Sequence, residues 1–276
     1  MKINCLYLIG VLVIVAFTAL SQPAETNFVA SVSEENRMDI VKTSIHPTEW
    51  HEKLFWTQYK SYLSKMQRVS SLAYTLQKLA QTDKNTNSEE ALKNGCRLIA
   101  YHQDELNVKR QYFAEIGRDH NGTMALQFLQ IEIMLDMMES SNVYEHSVLR
   151  EFSCYPKAYS AKMKHNLIAQ ALSLSDDEMA AFFPVYARYE KECGDVLGED
   201  YNLYELFAGE ASDFTPNLAK RQGYDLLAIM EREIKLKEKY FDEMNLVLGP
   251  SLAARFLAWE DYYSIACKMY VWAQAQ

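Results

Sequence analysis

The chain repeats itself, and that limits its fold more than any other feature. From Glu89 to Met138 it aligns on its own later residues at an offset of 128 without a gap. Identical pairs include Ala91/Ala219, Gly95/Gly223, Leu98/Leu226, Glu105/Glu233, Lys109/Lys237, Tyr112/Tyr240, Phe113/Phe241, Ala125/Ala253, Phe128/Phe256 and Glu132/Glu260. The turn Asn121-Gly122-Thr123 falls on Gly249-Pro250-Ser251. Upstream the offset is 127: Ile40, Val41, Ile45, Phe55, Tyr59 and Tyr62 fall on Leu167, Ile168, Leu172, Phe182, Tyr186 and Tyr189. Helical apolar positions alone can match by accident. Turns, caps and a Glu-x-x-x-Lys pair matching with them indicate two copies of one unit.

The unit is helical. Leu54, Phe55, Tyr59, Tyr62, Leu63 and Met66 recur at spacings of mostly three and four, the period of one helix face. Thr48 is placed to cap this helix, and the polar stretch Thr82 to Asn87 ends it. A second helix is predicted from Ser88 to about Ile116, and a third, capped by Thr123, to about Met138. In the second copy Ser175-Asp176-Asp177-Glu178 forms a capping box. Thr215-Pro216 opens the next long helix, with Pro at the first helical position. Long helices joined by short loops pack antiparallel. The fold class expected is therefore all-α: two tandem repeats of long antiparallel helical hairpins with short flanking helices. The 9 Gly and 6 Pro in 276 residues fit few breaks.

The boundaries follow. Lys2, the apolar run Leu6 to Leu20 and Ala19-Leu20-Ser21 have the layout of a secretory signal peptide over residues 1–21, cleaved after Ser21. An uncleaved anchor is the rival reading. Residues 22–35 read as a disordered leader, 36–140 as repeat 1, 141–162 as a connecting segment and 163–276 as repeat 2. This implies a periplasmic or secreted protein, with no stable membrane insertion once the signal is removed.

The net charge of −9 argues against nucleic acid as a partner. Export permits disulfides among Cys96, Cys154, Cys193 and Cys267, of which Cys154 with Cys193 is the favoured pair and free buried thiols are the alternative. Glu105/Lys109 and Glu233/Lys237 read as helix-stabilising i, i+4 pairs, each worth about 0.2–0.5 kcal/mol. A catalytic Glu–Lys site lacks an evident third polar partner. Glu132 and Glu260 each follow an aromatic by four residues; they read as helix-face carboxylates bonded to a neighbouring Tyr or Lys, or as half-buried acids with a raised pKa. His46 and His51, with Glu49 and Glu52 nearby, are the only hint of a metal site, and no helical His pair or H-E-x-x-H occurs. No nucleophile elbow, phosphate loop or dinucleotide motif is present, so no catalytic residue, cofactor or metal is assigned. The run Trp259, Tyr262, Tyr263, Tyr270 and Trp272 is dense enough to leave rings exposed as an interaction surface.

At Leu172-Ser173-Leu174-Ser175-Asp176-Asp177-Glu178, followed by Phe182, Pro184, Tyr186 and Tyr189, the chain resembles bacterial periplasmic helical proteins of the Spy/CpxP kind, which carry an L-T-x-x-Q motif at a helix start. Here the motif reads L-S-x-x-E, and the net charge is acidic where the chaperone members carry a basic cradle. The resemblance implies a non-enzymatic, ATP-independent chaperone or an envelope-stress sensor, whose partners are protein clients or a partner protein. A structural or complex-forming envelope subunit is the alternative, and an enzyme using Glu132 and Glu260 the third reading.

Overall fold

The computed structural model describes residues 34–82, 87–144, 161–207 and 214–274. These residues form helices and short connections, with no strand among them. In chain order the helices are α1 (Glu34–Ser44), α2 (Glu49–Thr82), α3 (Ser88–Asp119), α4 (Gly122–Tyr144), α5 (Ala161–Leu172), α6 (Asp176–Phe207), α7 (Pro216–Leu248) and α8 (Pro250–Gln274). A short helix, two long helices and a closing helix thus occur twice in the same order. The signal segment, residues 22–33 of the leader, and Cys154 in the connecting segment lie outside the described residues, whereas the last two leader residues, Glu34 and Glu35, begin α1.

Local chemistry sets most of the helix starts. The Asn87 side chain accepts from the Glu89 N–H at the head of α3. At α6 the capping box closes in both directions: Glu178 accepts from the Ser175 N–H at 2.7 Å, and Ser175 Oγ accepts from the Glu178 N–H at 3.3 Å. Thr215 Oγ1 accepts from the Leu218 N–H at 3.4 Å, with Pro216 behind it. At α2, Thr48 Oγ1 lies 3.1 Å from His51 Nδ1, so an imidazole stands where the second copy has the Glu178 carboxylate. One cap differs from expectation. Asn121, not Thr123, accepts from the Met124 N–H at 2.8 Å, and α4 starts one residue earlier than Thr123. That bond also accounts for Asn121 as turn chemistry. Two helices outrun their predicted ends, α3 to Asp119 and α4 to Tyr144.

Each hairpin, α2/α3 and α6/α7, packs along its length, and the two halves then share one core. α3 lies against α7 and α8, and α7 against α4. The α3/α7 crossing is reciprocal. A Cβ on Gly95 would sit 2.3 Å from the Phe241 ring, and one on Gly223 would sit 2.2 Å from the Phe113 ring. Gly95 lies near the start of α3 and Phe241 near the end of α7, so the two helices run antiparallel about an approximate two-fold axis. Glycine is needed at both positions because the opposing ring occupies the space of a side chain.

The aromatic ladders correspond as well. In the first half Phe55, Tyr59 and Tyr62 stack along α2, and the Tyr62 ring meets Phe128 at 5.0 Å. In the second, Phe182, Tyr186 and Tyr189 follow along α6, and Tyr189 meets Phe256 at 5.4 Å. All six ladder residues are buried. Among the described residues no helix is long and apolar enough to cross a membrane.

Candidate functional site

Helix-periodic charged residues normally face water. Here Lys109, Lys237, Glu132, Glu233, Glu260 and Asp261 are all buried. They form a polar spine through an otherwise apolar bundle, and an opening in the core lies along it. The opening is a cavity of about 110 Å³ lined by Glu105/Glu233, Leu106/Ile234, Lys109/Lys237, Asp136/Ser264, Ile133/Asp261, Met137/Ile265 and His102/Met230. Every one of these is a pair 128 residues apart, so the cavity sits on the approximate two-fold axis.

The spine begins on α1. Arg37 Nη1 donates to Glu132 at 2.6 Å, Nη2 to Asp136 at 2.6 Å and Nε to Glu139 at 3.0 Å. Tyr59 donates its hydroxyl to the other oxygen of Glu132 at 2.7 Å. Lys109 reaches Asp136 at 2.5 Å and bonds Glu105 one turn before it. His102 stands 3.9 Å from Glu105 and 2.6 Å from Asp261 of α8, which carries the chain into the other half. Asp261 accepts from Lys237 at 2.7 Å, Lys237 lies 3.1 Å from Glu233, and Ser264 donates to Glu233 at 2.7 Å.

These contacts revise the reading of the Glu–Lys pairs. They are interior pairs rather than surface pairs, and the missing third partner exists: Asp136 for Lys109, and Asp261 for Lys237. Burial alone would depress the Lys109 ammonium, yet Asp136 and Glu105 outweigh it and hold the group above its usual range. Burial opposes ionisation of Glu105 too, but Lys109 and His102 keep it below the carboxylate range. At the seam, burial works against charge on His102, and Asp261 overrides it, raising the imidazolium to about 9. Asp261 falls to about 2, with His102 and Lys237 outweighing its burial.

Glu132 and Glu260 are fully enclosed rather than half-buried, and the hydrogen-bonded Tyr is present at each. Tyr186 donates to Glu260 at 2.9 Å, matching Tyr59 on Glu132. Burial pushes both carboxyls above the usual range, against the pull of Arg37 on Glu132 and of Lys164 on Glu260. Arg37 and Lys164 are themselves equivalent at offset 127, an extension of the repeat three residues above Ile40. That register was the available signal for Arg37. His102 and Asp261 had none, because they break the repeat: their counterparts are Met230 and Ile133.

Of the C-terminal aromatics, Trp259, Tyr262 and Tyr263 do not form the expected exposed surface. Trp259 and Tyr262 are core residues at 3% and 7% exposure, and Tyr263 is half-buried. Their helix packs against α3, α4 and α7, which claim the rings. The side chains of Tyr270, Trp272 and Cys267 lie outside the described residues. Cys96 is an exposed thiol and Cys193 a half-buried one; Cys154, the favoured partner of Cys193, lies outside the described residues. Burial pushes the Cys193 thiol up to about 12, with Glu260 and Glu233 adding to it. His51 meets His120 edge-to-face at 5.3 Å, and no group of three or more metal-ligating side chains occurs among the described residues. No known family, curated protein or solved structure matches the chain.

Proposed function

We propose that the protein is an exported, non-enzymatic helical binding protein, chaperone-like or envelope-stress-sensing. The observation that carries this reading is that every cation of the spine is engaged by carboxylates inside the bundle. Arg37, Lys109, His102 and Lys237 each face carboxylates within the bundle. The cavity beside them, about 110 Å³, is small against the roughly 300–1,000 Å³ of ordinary ligand pockets. It suits a few bound waters. The groups left for binding are outside: Trp50 is 93% exposed, and Leu246 is 85% exposed with exposed Val247 beside it. Export rests on the Leu6 to Leu20 run, and the Leu172 to Tyr189 resemblance points to the same class of protein.

The test is suppression of aggregation of an unfolding client by the chain beginning at Gln22. Suppression is expected at stoichiometric ratios, and Trp50→Ser with Leu246→Ser should weaken it severalfold at unchanged Tm. No suppression at several-fold molar excess removes the chaperone form. Recovery of the protein from the envelope in a stable hetero-complex would favour a structural subunit.

The two buried carboxyls with raised pKa support a second reading, an enzyme whose acids are Glu132 and Glu260. If Glu132→Gln and Glu260→Gln change stability and no cellular phenotype, that reading fails.

A further inference from the structure

The two halves meet through contacts of two kinds. The first kind recurs on both sides of the two-fold axis. Gly95 takes the Phe241 ring and Gly223 takes the Phe113 ring, so glycine faces phenylalanine whichever two units are brought together. A self-complementary surface of this sort accepts its own twin. By these contacts alone, the first half would pair with the first half of a second copy as readily as with its own second half.

The second kind departs from the repeat, and each such contact is satisfied only between unlike halves. His102 of α3 lies 2.6 Å from Asp261 of α8. Across the axis the same two places are Met230 and Ile133, both on the cavity wall. Two first halves would set His102 against Ile133, with Glu105, 3.9 Å away, as its remaining carboxylate. Two second halves would set Asp261 against Met230, with Lys237 as its remaining cation. Removing one member of a buried ion pair is costly, whereas an apolar pair in the same place is not. Arg110 of α3 meets Glu231 of α7 at 2.7 Å, and the counterparts are Glu238 and Gln103. Two second halves would bring Glu231 to Glu238; two first halves would leave Arg110 facing Gln103. Gly122 lies against the start of α7, where a Cβ would overlap the Pro216 carbonyl oxygen. Its counterpart is Pro250, so two second halves would drive a proline ring into that carbonyl. A buried pair, a surface pair and a steric fit select the same partner. Specificity of this kind comes from what a surface rejects as well as from what it accepts.

We propose that the seam is a recognition surface coded for the unlike half: the first half accepts a second half, from its own chain or exchanged with a second copy, and like halves are refused. The determinants are His102 with Asp261, Arg110 with Glu231, and Gly122 with Pro216. This pairing rule is independent of the binding function above.

Full chains from Gln22, kept reduced, test it. One variant carries His102→Met and Arg110→Glu, the other Asp261→Ile and Glu231→Arg. Each set mismatches the seam, and each variant should lose at least about tenfold in its folding constant by urea denaturation. The four substitutions together in one chain restore an apolar pair and an opposite-charge pair, so that chain should be more stable than either variant. Refolded as a mixture, the two variants should exchange halves into a heterodimer, detected by native mass spectrometry with one chain isotopically labelled. Refolded separately, each should stay monomeric, because exchange with its own kind relieves nothing. Arg110→Glu and Glu231→Arg alone, at positions 37% and 32% exposed, repeat both measurements without touching the core, with the same directions expected. The proposal is overturned if the costs of the two sets add in the four-substituted chain, or if the mixture yields no more dimer than the separate variants.

Discussion

His102 is the buried ion-pair partner by which α3 reaches Asp261 in the other half, and its removal has a calculable effect. The imidazolium is held at about 9 by Asp261 against burial that alone would lower it. An unfolded chain returns it to about 6.5. A folded pKa above the unfolded one means the native state binds the proton more tightly. The resulting stability is complete below pH 6.5 and is lost as pH climbs through 9. At about 1.4 kcal/mol per unit the shift is worth about 3 kcal/mol. The ring keeps 19% of its exposure, and solvent screening brings the expectation to about 2 kcal/mol. The lowered Asp261 is the same contact seen from its other end and is not added again. Urea denaturation at half-unit steps from pH 6 to 10 should show the wild-type protein losing about 2 kcal/mol across that window. His102→Gln, which can still donate to Asp261, should start lower and stay flat. Parallel curves for the two proteins would refute the argument, since the slope would then belong to other groups.

The seam offers a second test by overpacking. Gly95→Ala and Gly223→Ala each drive a methyl into a phenylalanine ring and should each cost about 1–3 kcal/mol, by similar amounts because the two sites are equivalent. Gly194→Ala meets nothing within 4 Å, and in the α6 helix should gain about 0.5–1 kcal/mol. Thermal melts of the three variants check all of this. Ser175→Ala removes the Oγ arm of the capping box and leaves the backbone N–H arm to Glu178; it should cost about 1 kcal/mol in the same assay. Under native conditions at pH 8, iodoacetamide should label exposed Cys96 readily and Cys193 only on unfolding, because burial holds that thiol near 12; equal native labelling would contradict it.

Sequence by itself determined what depends on neighbours a few residues away. Phe182, Val185, Tyr186 and Tyr189 fall on one face of any helix, and Ser175 with Glu178 closes its start within a single turn. The same locality makes the repeat legible, since each copy solves the same helix-packing problem with the same residues. Caps fail only where two candidates compete within the turn, as Asn121 and Thr123 do. Tertiary structure alone decided which charged and aromatic side chains are inside. Lys109 and Glu105 one turn apart look like a solvated pair on any isolated helix. They become interior because Asp136, from another helix, and the facing half enclose them. Trp259 and Tyr262 look like surface rings until α3, α4 and α7 close over α8. The His102–Asp261 bond joins residues 159 apart and departs from the repeat at both ends, so no local period or internal symmetry announces it. A helix's sequence specifies its stripe and its ends; what that stripe meets is set by the rest of the chain.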